Sequence, residues 1–209
     1  MISMNISRLC VSRADEVFAA LEQIPAMQRR RLSTLAKLAL NSAMQIQSQT
    51  PVDYIVWVSQ YGDERKTLKI LHDVLSDQTP SPTLFSTSVH NAVSGLYSIL
   101  CQDATTAVSL AGAWRDGLIE AYAWLKTTNI NGQVLVVYYD EPLPDIYQES
   151  QNFTAFSMAA LVSLGQGNLS LDLDYAVPAV DSFQQAQTFH DFWLNDQQAQ
   201  TEMWRKCSS

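Results

Sequence analysis

Three cysteines, three histidines and the carboxylate pairs Asp140-Glu141 and Asp172/Asp174 are the side chains from which this chain could build a reactive centre. Cys10, Cys101 and Cys207 lie far apart, with no CxxC spacing for zinc and no paired framework for disulfides. Cys101 is expected to close a helix just before Gln102-Asp103. A reactive thiolate needs a helix N-terminus or a cationic neighbour, and the sequence offers Cys101 neither, so it reads as an inert buried thiol. His72 falls mid-helix and His190 stands between Phe189 and Phe192, positions that suit surface and packing roles. His90, in SVHNA ahead of a helix, is either a functional loop residue or a local hydrogen-bonding one. The acid pairs follow or occupy strands and either hold a cation or are simply solvated. Arg29, Arg30 and Arg31 are either a solvated helix start or a docking patch for an acidic partner. Three cations in a first helical turn would oppose the macrodipole, so helix stability does not account for them.

No GxGxxG, GxxxxGK[ST], HExxH or GxSxG is present, which removes the main support for dinucleotide, P-loop, zincin and α/β-hydrolase readings. No cofactor and no metal are expected.

The elements that must position these groups follow from periodicity. Residues 14–24 place Val17, Phe18, Leu21 and Ile24 at helical spacing, and a second helix is expected from Met27 to about Gln47. DYIVWVS (53–59) is an almost unbroken apolar run, the pattern of a strand buried on both faces. A helix over 65–75 follows, stopped by the prolines at 80 and 82. Residues 81–101 read as an extended loop entering a helix from about His90. Strand 104–110 (ATTAVSL), helix 114–125, the Asn131-Gly132 turn and strand 133–139 (QVLVVYY) come next. Residues 155–164 and 168–175 are expected to form a β-hairpin around LGQGN, and the tail a Gln-rich helix over about 181–204. Strand and helix alternate, so the fold class is α/β, in one domain over 1–209.

The chain has 209 residues, 47% hydrophobic and 16% charged, enough to bury a sizeable core. It carries 13 basic and 21 acidic residues, net −8, with no long basic stripe, and nucleic acid is therefore not an expected partner. The longest apolar stretch, near 155–164, is about half of what a membrane helix requires. MISMNISRLCVSRADE lacks the apolar core of a signal peptide. A reducing, cytoplasmic location is the expectation.

The stretch PSPTLFSTSVHNAVSGLYSI (80–99), a small-residue strand and AGAWRDGLIEA (111–121) resemble the β-ketoacyl synthase N-terminal-like proteins. More narrowly, they resemble the chain-length-factor subunits of aryl-polyene-type type II polyketide or fatty-acid systems. QRRRLS with LAKLAL (28–40) and the strand–turn–helix at 53–75 fit the same pattern, and the resemblance covers roughly residues 25–165.

That resemblance implies a thiolase-like fold, and at this length approximately the first βαβαβαββ half only. It implies that the second-half catalytic histidines and lysine have no counterpart here. It puts Trp114, or Arg115 with an offset of one, where the family's nucleophilic cysteine opens a helix three residues before a glycine. A tryptophan there cannot form a thioester and would plug the pocket. The expected role is thus a non-catalytic subunit that pairs as a heterodimer with an active ketosynthase and meets an acyl carrier protein through the complex. Thr105, Thr106, Val108 and Ser109 would form the strand-pairing interface. Asn91, Gly95, Leu96 and Tyr97 would border the partner's acyl tunnel, and Arg29–Arg31 would receive the carrier protein. A stand-alone acyltransferase using Cys101 or His90, or a homodimeric acyl-binding protein, are the alternatives.

Overall fold

The computed structural model describes residues 1–47, 51–129, 131–147, 153–175 and 182–207. In chain order its elements are β1 (Ile2–Arg13), a 3-10 turn (Ala19–Gln23), α1 (Ala26–Arg29), α2 (Thr34–Gln47), β2 (Tyr54–Ser59), α3 (Glu64–Leu75), α4 (Pro82–Ser86), α5 (Ala92–Cys101), β3 (Ala107–Ala111), α6 (Trp114–Thr128), β4 (Val134–Asp140), β5 (Phe156–Ser163), β6 (Leu169–Leu171), α7 (Ser182–Leu194) and β7 (Trp204–Lys206).

The strands make one mixed sheet in the order β3-β2-β4-β5-β1-β6-β7. β3, β2 and β4 are mutually parallel and the remaining pairings are antiparallel. Alternation along β2 and β4 divides two cores. Val56, Val58, Val136 and Tyr138 face α6 and α7, whereas Ile55, Trp57, Leu135 and Tyr139 face α2 and α5. Both strands are buried along their whole length, as their unbroken apolar runs require.

α6 lies very close to the sheet because residue 117 is glycine. A Cβ there would stand 2.6 Å from Val58 Cγ2 and 2.9 Å from Val136 Cγ1. That helix fixes the height of everything at its N-terminus.

Several expectations are corrected. Residues 2–13, unassigned from sequence, form the longest strand, and β1 separates the two strands expected to be a hairpin. β5 pairs with Asn5–Arg13 and β6 with Ile2–Met4, not with each other. The 14–24 helix shrinks to the 3-10 turn, since only its Leu21 and Ile24 side find the core while Val17 stays exposed. The expected 27–47 helix is two helices: Ser33 Oγ accepts the Ala36 N–H and starts α2 afresh. The extended entry at 81–90 contains α4, which Ser81 caps with Pro82 as its first residue. β6 keeps only three residues of the expected 168–175 strand, and the tail ends in β7 rather than in helix. Asp181, the expected start of the tail helix, lies outside the described residues.

Candidate functional site

The parallel strands β2, β3 and β4 end on one side of the sheet, the side where open α/β folds build their crevices. Ser59 closes β2 and acts as a hub there. Its carbonyl accepts from the Gly112 N–H at 3.2 Å and stands 2.9 Å from His90 Nε2. Its hydroxyl donates to Asp140 Oδ1 at 2.8 Å and accepts from the Gly62 N–H at 2.8 Å. Asp140, the last residue of β4, is 1% exposed. It also accepts from the Gln60 and Tyr61 N–H groups and from the Ser182 hydroxyl. Burial raises its pKa above the ordinary carboxylate value, against the pull of hydrogen bonds from Tyr138, Gln60, Ser59 and Tyr61.

Asp140 is therefore no solvated loop acid, and Glu141 beside it is buried too. Burial and then the neighbouring Asp63 raise the Glu141 pKa, with Arg65 3.5 Å away opposing them. Asp172 accepts the Asp174 N–H in a turn. Among the described residues, no group of three or more His, Cys, Asp or Glu is placed to hold a metal ion.

The turn from β3 into α6 is Gly112-Ala113-Trp114. Asp116 Oδ2 accepts the Ala113 N–H at 2.8 Å, and its carboxylate passes where a Cβ on residue 112 would collide. One residue on, the Arg115 N–H is held by Gln185 Oε1 at 2.8 Å. The amide donors of a helix N-terminus, able in principle to stabilise an anion, are thus partly occupied by the chain's own side chains. The Arg115 guanidinium reaches the carbonyls of Asp172, Leu173 and Tyr175 and ties the segment after β6 to α6. Trp114 is 0% exposed and packs against Phe189 of α7, ring centroids 5.4 Å apart. It turns into the core instead of plugging the mouth. A cleft of about 400 Å³ remains open above it, bordered by Gln60, Gly112, Arg115, Asp116, Ser182 and Gln185.

Residues 7–208 match the protein family described as beta-ketoacyl synthase, N-terminal domain. The chain belongs to that family. No curated protein matches the sequence of this ketoacyl-synthase-family chain. Among solved structures it is similar to a chain of the ketosynthase ApeO in complex with its chain length factor ApeC from Xenorhabdus doucetiae. The match has a TM-score of 0.84 at 22% identity and covers 99% of this chain and 100% of that one. It is also similar to the ishigamide ketosynthase/chain length factor, with a TM-score of 0.54 at 14% identity, over 74% of this chain and 53% of that one. The fold is thiolase-like, and this ketoacyl-synthase-family chain spans about half of the second neighbour.

Within this family member, β3 is an edge strand bonded to β2 alone among the described residues. Val108 and Ser109 lie on it, half-buried, while Thr105 and Thr106 precede it and Thr106 is exposed. α5 packs beside it and exposes Ile99, while α3 and α4, which contact each other, expose Leu71, Val74, Leu75 and Phe85, apolar exposure that sequence reading passed over. The amphipathic pattern of α3, none of whose residues is buried, was the available signal. α5 turns Asn91, Gly95 and the 74%-exposed Ile99 outward and buries Tyr97, with Leu96 half-buried, in the chain's own α2-side core. Arg29 ends α1, where a cation suits the dipole, and exposed Arg30 and Arg31 follow it, so they do not open α2. His90 precedes α5 and Cys101 ends it, about 15 Å apart by helical rise, too far to share a proton. The Cys101 thiol is pushed up to about 11 by burial and then by Asp103.

Proposed function

We propose that this chain is a non-catalytic, chain-length-factor-like subunit that pairs with an active ketosynthase in polyene, polyketide or fatty-acid-type chain elongation. The observation that carries this reading is the β3 edge. Ala107–Ala111 has no charge, no proline and no strand on its outer side among the described residues, and α5, which packs beside it, exposes Ile99. An open uncharged edge invites pairing with another chain. The expected interface is Thr105, Thr106, Val108 and Ser109, joined by Ile99.

The α6 mouth supports the non-catalytic half of the proposal. Trp114 offers no nucleophile, the Ala113 and Arg115 amides are already engaged, and the Asp140 carboxylate is enclosed by donors. On this reading Asn91 and Gly95, with Leu96 and Tyr97 behind them, border the acyl path of the partner. Arg29–Arg31 receive an acidic acyl carrier protein, and the complex works in the cytoplasm. No described helix is long and apolar enough to cross a membrane.

The test is to coexpress the chain with a ketosynthase and weigh the native complex. A 1:1 heterodimer that elongates carrier-bound acyl groups, while this chain alone takes up no labelled acyl group, is the expected result. Acyl transfer by the isolated chain would overturn it.

A further inference from the structure

We infer that the chain on its own forms a two-fold homodimer in which β3 pairs antiparallel with β3 of a second copy, Ser109 lying on the axis. Opening of that homodimer by a ketosynthase rests on the subunit role proposed above; the homodimer itself does not.

The hydrogen bonds around β3 fix which of its backbone groups are open. The Ile55 N–H donates to the Thr106 carbonyl at 3.0 Å, and the Gly112 N–H donates to the Ser59 carbonyl at 3.2 Å. In the parallel register with β2, Thr106, Val108, Leu110 and Gly112 thus turn their backbone groups inward. Ala107, Ser109 and Ala111 turn theirs to the outer side, where no strand lies among the described residues. Carboxylates of the same chain close this open ladder at both ends. Asp103 Oδ1 accepts the Thr105 N–H at 2.8 Å, and Asp116 Oδ2 accepts the Ala113 N–H at 2.8 Å. The two capped amides stand equally far along the chain from Ser109, so the unpaired stretch is symmetric about that residue.

That symmetry selects a second copy as the occupant, because a two-fold interface must complement itself. With the axis at Ser109, Ala107 faces Ala111 of the other copy, Val108 faces Leu110, and Ser109 faces its own counterpart. Every outward N–H and C=O of the open residues then meets its opposite, with no charge or proline in the seam. An axis at Val108 or Leu110 would instead set an open residue against an amide already capped. Ala107 is in register with Ile55, so Ala107, Ser109 and Ala111 share the α5 side of the sheet. α5 packs beside β3 and exposes Ile99, which adds apolar surface to the strand pairing. The seam is at the small end of specific interfaces, so the homodimer is reversible, with a dissociation constant on the order of 10 μM. One edge holds one strand, and a ketosynthase bound there dissolves the homodimer.

Sedimentation velocity on the purified full chain should show dimer at about 100 μM and monomer at about 1 μM. Ser109→Pro removes an outward N–H at an edge position that tolerates proline, and should fold yet stay monomeric throughout. Ser109→Cys, oxidised by air with copper phenanthroline, should form a disulfide between copies, read by mass spectrometry as a peptide joined to itself. A hydrogen-bonded antiparallel pair sets the two Cα atoms about 5.5 Å apart, within disulfide reach. Val108→Cys should give no such link, since in this register its two copies lie more than about 7 Å apart. A parent chain that is monomeric at the higher concentration, or a link in Val108→Cys instead of Ser109→Cys, would overturn the homodimer. Excess ketosynthase should suppress the Ser109→Cys link, and a link that persists once the heterodimer has formed would overturn the competition. If no heterodimer forms, the subunit role fails, while the link in the chain alone still decides the homodimer.

Discussion

The Ser182 hydroxyl donates to the Asp140 carboxylate across 3.2 Å, joining the first residue of α7 to the last residue of β4. The Tyr138 hydroxyl stands 3.1 Å from the same Ser182 oxygen, so three buried groups share this junction. Ser182→Ala should lower stability by about 1–3 kcal/mol, because it leaves a buried acceptor short of a donor. Urea midpoints of the two proteins measure this.

Asp140 also gives stability a pH dependence of known sign. Its folded pKa is raised, so between the ordinary value of 3.8 and the folded value the native state holds more protons than the unfolded one. Its contribution is therefore present at low pH and lost as pH rises through the folded pKa. Asp140→Asn should show a smaller fall in urea midpoint from pH 4 to pH 8 than the parent, whatever its absolute stability.

Gly117 and Gly95 predict opposite outcomes for the same substitution. Gly117→Ala should destabilise the chain by about 1–3 kcal/mol, since the methyl must displace Val58 and Val136 in a packed core. At Gly95 a Cβ meets nothing within 4 Å, so Gly95→Ala should stabilise the isolated chain by about 1 kcal/mol through helix propensity. If α5 faces an acyl path, Gly95→Leu should also shorten the products of the ketosynthase complex, read from the masses of carrier-bound intermediates.

Trp114 is a core residue as well as the proposed degenerate position. Trp114→Ala should cost about 3–5 kcal/mol, whereas Trp114→Phe retains most of the contact with Phe189 and should leave heterodimer and turnover near parent levels. Loss of turnover in the Phe variant, with the complex intact, would give the indole a direct role. Trp114→Cys should take up no labelled acyl group.

Val108→Asp would put an unpaired charge into the proposed strand pairing, at roughly 3–5 kcal/mol by analogy with broken buried pairs. Size exclusion should then show the two subunits separated. A heterodimer of undiminished strength would move the interface away from β3.

Thiol chemistry gives a further check. Cys10, which donates to the Ser42 carbonyl, is pushed up to about 12 and Cys101 to about 11, both mainly by burial. Peptide mapping after iodoacetamide at pH 8 should find both slow to react, with Cys101 accelerating as pH approaches 11.

The sheet centre was legible in the sequence because β2 and β4 are apolar on both faces and need no long-range information. β1 was not, since Asn5, Arg8 and Ser12 interrupt its pattern and its two partners lie more than 140 residues away in sequence. The turn at Trp114 could be placed by resemblance, but not the direction of its side chain, which depends on Phe189 in α7. The Asp140 cluster was invisible for the same reason. Its members come from the ends of β2, β4 and α7, and neither helical nor strand periodicity marks them.

The two margins of the sheet differ in kind. β7 is three residues long, exposes Arg205, and engages Lys206 with the Asn195 carbonyl and the Phe192 ring. Cations and brevity blunt that margin against further strands, whereas the outer side of β3 carries no strand among the described residues. On the proposed reading the molecule would be monovalent for strand addition: it would accept one neighbour at β3 and have no second acceptor to offer. Assembly by this proposed route would stop at a pair rather than propagate into a filament, whichever chain supplied the other half.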